Sequence, residues 1–400
     1  MRPNSRRSPS SQAGFTLVEL MVGLAIGMLA TLVIVQVISV FEAQSRSTRG
    51  SADAQTNGGI AMYTIAHDMQ LAGYPLMSTS SSPLACTTLT INGTVDASVP
   101  NRLSPVVITD GVVGTGANAS PSDAITIRYG DELMGGVPTQ TQVQVPNALF
   151  PTTVPVLSNL GCKVGDMALI TDGSSCYMST VTALSPVGAT SPPPVPNVDL
   201  SNVPTLANGG VNLACLGTWH EVTYRVNDGN LERCDLAALP TGGGDCSLVF
   251  PNPNFVTSVV GIVNLQAQYG ISAAGLTTSD PNYNRVVQWV DATAASGWNA
   301  PSAVNRNRIK AVRIAVVARN AKRETSVVTA ACSSTTAAAP TGLCAWDATS
   351  ALPTPPLVPP FVASPAPTID LSASDPEWLQ YRYRVFNSII PLRNVIWSKD

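Results

Sequence analysis

Eight cysteines and two histidines are the residues with which this 400-residue chain could do nucleophilic, redox or metal chemistry, and their spacing argues against all three. Cys86, Cys162, Cys176, Cys215, Cys234, Cys246, Cys332 and Cys344 form no C-x-x-C pair, the spacing of zinc ribbons and dithiol redox motifs. His67 and His220 are too few for a histidine-built metal centre or hydrolase, and each has an acidic neighbour, Asp68 or Glu221, as a structural partner. No G-x-S-x-G elbow, Walker A loop or strand-following G-x-G-x-x-G occurs. The inventory therefore points to a non-enzymatic chain without metal or cofactor, and the cysteines read as four disulfides formed in an oxidising compartment. Spacing cannot choose among the pairings. Local closures are expected for Cys162 with Cys176, Cys234 with Cys246 and Cys332 with Cys344, leaving Cys86 for Cys215. Arg306, Arg308, Lys310, Arg313, Arg319, Lys322 and Arg323 concentrate seven basic residues, enough to contact phosphates. No aromatic is interleaved among them, so solubilising charge around a buried strand is preferred to nucleic-acid binding.

One further ionisable residue stands where it should not. Leu20 to Phe41 carries no formal charge over 22 residues, about 33 Å as a helix, enough to cross a bilayer core. Glu19 lies at the entrance of that stretch, where a carboxylate costs several kcal/mol unless paired. Residues 1–14 are polar, contain Arg2, Arg6 and Arg7 and lack acids, which places them on the cytoplasmic side and everything after the span outside. An ordinary cleavable signal peptide fits less well, because the small-x-small site Ala52-Asp53-Ala54 lies far beyond the apolar run.

The segment Gly14-Phe15-Thr16-Leu17-Val18-Glu19-Leu20 with its apolar continuation resembles the class III signal of type IV prepilins and type II secretion pseudopilins. That resemblance implies cleavage between Gly14 and Phe15 by a membrane-embedded prepilin peptidase, and methylation of the new Phe15 amine. It also implies that Glu19 pairs with the Phe15 amine of a neighbouring subunit in a filament, offsetting the cost of a buried carboxylate.

Behind the signal, apolar residues recur at helical spacing at Met62, Ile65, Met69 and Ala72, and no proline falls between residues 15 and 74. One helix of up to 60 residues is expected, weakened at Gly58-Gly59; Gln36 stands where many pilins have a kinking proline. From Pro75 onward the composition is turn-rich, within a chain of 30 glycines, 32 prolines, only 12% charged residues and net charge −3. Strands are expected at 124–129, 220–226, 231–234, 262–269, 309–318 and 381–386, with Asn227-Asp228-Gly229-Asn230 as a hairpin turn. On 262–269, Asn264, Gln266 and Gln268 share one face and Leu265, Ala267 and Tyr269 the other, the pattern of a half-buried strand. Pro-rich stretches at 186–204 and 353–367 read as surface loops or a semi-rigid linker, and the sequons at Asn92 and Asn118 as incidental.

The hairpin, NLQAQYG, KAVRIAVVAR and YRYRVFNSIIPLRN together resemble the PilW family of minor pilins. The expected architecture is α+β and pilin-like: a cytoplasmic leader (1–14), a transmembrane segment (15–41), an amphipathic continuation of the same helix (42–74) packed on an antiparallel sheet, and an enlarged disulfide-containing external domain (75–400). The resemblance implies a minor subunit of a type IV pilus, at assembly initiation or the tip, because a domain this bulky fits poorly into every layer of a filament. Its partners would be the prepilin peptidase, other minor pilins and the major pilin, the inner-membrane assembly platform and membrane lipid. A minor pseudopilin of a type II secretion system and a membrane-anchored adhesin are the alternatives.

Overall fold

The structure, a computed structural model, describes residues 14–76, 86–98, 102–114, 120–133, 136–141, 152–171, 175–186, 196–203, 211–239, 244–277, 279–335, 339–346 and 365–397. Two compact units divide the chain, Met1–Ala52 and Asp53–Asp400. The first helix, α1 (Leu17–Leu71), contributes residues to both. After it come β1 (Thr88–Ile91), β2 (Thr94–Val95), β3 (Val106–Val112), β4 (Ser122–Gly130), β5 (Thr139–Gln140) and β6 (Thr153–Pro155). The middle of the chain forms β7 (Met167–Thr171), β8 (Ser175–Pro186), β9 (Pro196–Leu200), β10 (Asn212–Cys215), β11 (Trp219–Asn227) and β12 (Asn230–Asp235). The last part forms β13 (Val256–Val260), β14 (Ile262–Ile271), β15 (Gln288–Val290), α2 (Ala303–Arg308), β16 (Ile309–Arg323), β17 (Tyr381–Pro391) and α3 (Arg393–Trp397).

In the first unit, Leu17–Glu42 is a 26-residue apolar stretch with none of its side chains buried. In the second, the continuing helix turns a stripe inward: Ala61, Ile65 and Met69 are fully buried, as is Ala72 just past its end, and Met62 packs beside them. The helix runs unbroken through Gly58-Gly59, contrary to the expected weak point. At Gly58 the reason is a close approach, since the Phe386 ring of β17 occupies the space a Cβ would fill. The helix stops at Leu71, short of 74, because Gly73 adopts φ 78° and donates its N–H to the Arg128 carbonyl at 2.9 Å.

The second unit carries three sheets, and the buried stripe of α1 joins the core they share. An eight-stranded mixed sheet has the order β2-β1-β8-β7-β10-β5, with β9 on β8 and β6 on β9; only β1 and β8 run parallel. A five-stranded antiparallel sheet follows as β13-β12-β11-β4-β3, and a four-stranded one as β15-β14-β16-β17. The β11–β12 turn is the expected hairpin, with Asp228 at φ 47° and Gly229 at φ 69°, the paired positive angles that match strand twist. β9 corrects the reading of 186–204 as loop, since Pro196–Leu200 pairs with both β6 and β8. Pro-rich residues 353–364 and Asn118 lie outside the described residues, while Asn92 sits in the β1–β2 turn.

β14 is buried on both faces, not one. Leu265, Ala267 and Tyr269 join the core beneath α1, and Asn264, Gln266 and Gln268 are covered on the other side by a second apolar cluster built from Leu343, Trp346, Ile369, Leu371 and Trp378. The buried amides are satisfied locally: Gln266 donates to Asn264 at 3.0 Å and Asn264 to the Pro121 carbonyl at 2.9 Å. β4 closes the edge of β14 that β15 leaves open. Leu265 N–H donates to Ser122 Oγ at 2.9 Å and Ala267 N–H to the Asp123 carboxylate at 2.7 Å. Burial pushes the Asp123 carboxyl up to about 8, with the hydrogen bond from Ala267 opposing it.

All eight cysteines are paired: Cys86–Cys176, Cys162–Cys215, Cys234–Cys246 and Cys332–Cys344. The two local closures at 234–246 and 332–344 match the expectation; Cys162–Cys176 and Cys86–Cys215 do not occur. Sheet order is the reason, because β8 carries Cys176 alongside β1, next to Cys86, while β10 carries Cys215 alongside β7, next to Cys162. With separations of 90 and 53 residues these bridges each restrict the unfolded chain by about 4–5 kcal/mol in the loop-entropy picture.

Cyanogen bromide cleavage of the unreduced protein at Met77, Met134, Met167 and Met178 places the first four cysteines on separate fragments. Fragment 168–178 is expected joined to 78–134, and 135–167 joined to the C-terminal fragment; a 135–167/168–178 product would contradict the sheet order. At the helix, Gly58→Ala is expected to destabilise by about 1–3 kcal/mol by overpacking, opposite to the usual gain of about 1 kcal/mol for this exchange in a helix. Chemical denaturation gives the sign, and Phe386→Leu in the same chain should restore stability.

Candidate processing and assembly site

Gly14, Phe15 and Glu19 fall at and just before the first turn of α1. Phe15 is 84% exposed, and a Cβ at Gly14 would meet nothing within 4 Å, so packing within this chain does not demand glycine there. Thr16 caps the helix: its Oγ1 accepts the Glu19 N–H at 3.3 Å and its carbonyl accepts the Leu20 N–H at 3.2 Å. Thr16-x-x-Glu19 is thus the threonine–glutamate spacing of a capping box, with the carboxylate in the first turn, where the helix dipole favours it. The role of Thr16 escaped the sequence reading, although a T-x-x-E directly before an apolar run is its signal. Among the described residues Glu19 forms no ion pair, so its charge has no counter-ion within this chain.

At the other end of α1 a polar cluster fastens the helix to the five-stranded sheet. The neighbouring pair of His67 and Asp68 forms, at 3.4 Å, but only the histidine faces solvent, and Asp68 is buried. Its carboxylate accepts the Tyr224 hydroxyl at 2.6 Å and the Arg233 guanidinium at 3.4 Å. Arg233 also reaches Asp235, which pairs with His220 Nδ1 at 3.1 Å, and the His220 ring stacks on Tyr129 at 4.9 Å. The hydrogen bond His220 donates to Asp235 raises its pKa above its ordinary value, with burial opposing it and Asp131 adding to it. Burial pushes the Tyr224 hydroxyl far above its usual range, and the Asp68 charge adds to this, so it stays a hydrogen donor. These groups come from α1, β4, β11 and β12, which is why no local pattern announced them.

The basic stretch around β16 is split: Arg308, Arg319, Lys322 and Arg323 reach solvent, the last three in ion pairs with Asp375, Glu324 and Glu377, as expected of charge around a buried strand, whereas Arg306, Lys310 and Arg313 are buried. Arg306 is buried and donates to the Cys86 carbonyl at 2.8 Å, Lys310 lies 4.1 Å from the Tyr283 ring, and Arg313 is buried against Trp346 and Trp289. Aromatic partners missing from the surrounding sequence arrive from other elements. No group of three or more His, Cys, Asp or Glu residues suited to a metal occurs among the described residues.

Residues 9–35 match the prokaryotic N-terminal methylation motif. With one membrane-length apolar helix among the described residues, an α+β arrangement and four disulfides, that match fits a pilin-like protein anchored in the inner membrane with its C-terminal domain external. Residues 254–394, from just before β13 into α3, match the family model of the type IV pilus-assembly protein W, PilW. The two matches together support a PilW-type, pilin-like protein, and the matched family is structural rather than catalytic. No curated protein and no solved structure matches it significantly.

The raised His220 pKa sets the sign of a pH effect. Stability from the His220–Asp235 pair is fully present below the unfolded histidine value of about 6.5 and is lost as pH rises through the higher folded value. Thermal melts of the protein and of His220→Gln should differ most below about pH 6.5 and converge as the pH rises through the higher folded value. A gap that widens with pH would contradict the pairing.

Proposed function

We propose that this chain is a minor pilin of a type IV pilus, cut between Gly14 and Phe15, methylated on the Phe15 amine, and incorporated at the start or tip of the filament through Glu19. The single observation that carries this reading is the pairing of an uncountered first-turn carboxylate with a methylation motif on a fully exposed apolar helix. Inside a filament that helix exchanges lipid for neighbouring helices, and a carboxylate without an internal partner then needs an external cation. A terminal ammonium four residues upstream on an adjacent copy of the helix motif supplies it and sets the register between subunits. Gly14 is accounted for by the peptidase, since a side-chain-free residue lets the scissile backbone lie close in a groove. The eight-stranded sheet lies outside the PilW match, and such added bulk suits a low-abundance or tip position better than a repeating shaft.

In this reading the partners are the peptidase, the other minor pilins, the major pilin and the assembly platform. Glu19→Ala should abolish or strongly reduce surface piliation while the protein still accumulates in the membrane, and Glu19→Asp should recover part of it. Intact mass from native membranes should lack residues 1–14 and carry one added methyl. Normal pili in Glu19→Ala, or an unprocessed mass, would overturn the proposal; a lost secretion phenotype with normal pili would assign the chain to a type II secretion system instead.

A further inference from the structure

Two arginines of the external unit are buried between aromatic rings, and the contrast between them is informative. Arg225 lies between Phe250 and Phe255, at 3.9 and 3.6 Å from the ring centres, and its charge is met by Glu232 at 2.8 Å. Arg313 lies between Trp289 and Trp346, at 4.9 and 4.1 Å, and is 7% exposed, yet among the described residues no carboxylate forms an ion pair with it. Its Nε donates to Gln268 Oε1 at 2.8 Å and its Nη2 to the same oxygen, and Gln268 passes the interaction on to Asp291 at 2.6 Å. Nη1 has no hydrogen-bond partner among the described residues. A guanidinium taken out of water without a contacting counter-ion is costly, and burial lowers the Arg313 pKa to about 10 against the pull of Asp291.

This guanidinium lines a cavity of about 330 Å³, within the range of small-ligand sites of roughly 300–1,000 Å³. β16 and β17 are paired in register here, with Arg313 opposite Ile389 and Ala315 opposite Asn387, so Asn387 and Ile389 share Arg313's face of the sheet. Asn387, Ser388 and Ile389 complete the wall, and Asn387 and Ile389 are exposed. The lining thus combines a buried cation, indole surface, the hydrogen-bonding side chain of Asn387 and an aliphatic rim.

We propose that this cavity binds a carboxylate-bearing sugar, a uronate residue of an acidic polysaccharide, with the carboxylate on Arg313 and the hydroxyl-bearing ring along the tryptophan and Asn387–Ile389 walls. A lone acidic side chain would meet the charge but leave most of the volume and the β17 hydrogen-bonding groups unused. This inference stands independently of the pilus role.

The test is calorimetric titration of the full chain in detergent with D-galacturonate, glucose and acetate as separate probes. Saturable galacturonate binding is expected, at least about tenfold tighter than either control, and weakened about tenfold or more by Arg313→Gln. Because that substitution empties a buried site, Asn387→Ala on the exposed strand is the second variant, expected to weaken binding about threefold or more with an unchanged melting temperature. No saturation, equal binding of glucose or acetate, or affinity unaltered in Asn387→Ala would each overturn the proposal. An Arg313-dependent preference for an acidic peptide over galacturonate would also overturn it and make the cavity a protein-docking site.

Discussion

A single helix has to satisfy two solvents, and the rest of the molecule follows from how it does so. Over Leu17–Glu42 the side chains are apolar on every side, because lipid surrounds a membrane helix without a preferred face. From Ala54 onward only one stripe is apolar, because protein meets the helix on one side and water on the other. The same backbone hydrogen bonding continues through both regimes, so only side-chain chemistry marks the change. Glu19 is the exception in the first regime and Asp68 in the second. Asp68 is satisfied inside the chain by Tyr224 and Arg233, whereas Glu19 has no partner among the described residues and so directs attention to another molecule.

Around the second half of the helix, the sheets are tied by polar groups that each satisfy a strand edge. Ser122 and Asp123 complete β14 where β15 is too short, and the Tyr269 hydroxyl accepts the Ile108 N–H at 2.6 Å across the two antiparallel sheets. The low charge content is consistent with this economy, since so many of the basic residues are spent internally. Arg225, Lys310 and Arg313 stack on aromatic rings, where a guanidinium or ammonium gains from the ring quadrupole while being dried.

The PilW match and the fold divide the external unit in an instructive way. Residues 254–394 build the four-stranded sheet and the strand that borders the neighbouring one, and Phe386 from this region packs on Gly58 of the helix. The eight-stranded sheet, with its own core of Val154, Val156, Ile170, Val181 and Val198, comes from residues between the helix and that match. Two long-range disulfides lie in this region, where they restrain a mixed sheet of short strands.

The sequence by itself determined whatever depends on neighbours along the chain. Charge-free length, the carboxylate at its entrance, the helical stripe Met62–Ala72, the Asp228-Gly229 turn and strands such as 309–318 were all legible, because period, propensity and turn chemistry act over a few residues. Short strands among prolines, such as Pro196–Leu200, were not, since only their partners β6 and β8 make them strands. Tertiary structure alone decided which cysteines meet, that Gly58 makes room for Phe386, that the amide face of β14 is buried, and that Arg306, Lys310 and Arg313 of the basic run are buried against a carbonyl and aromatic rings. Each of these depends on residues brought together from tens to hundreds of positions apart, and a linear pattern carries no information about which distant surface will arrive to cover it.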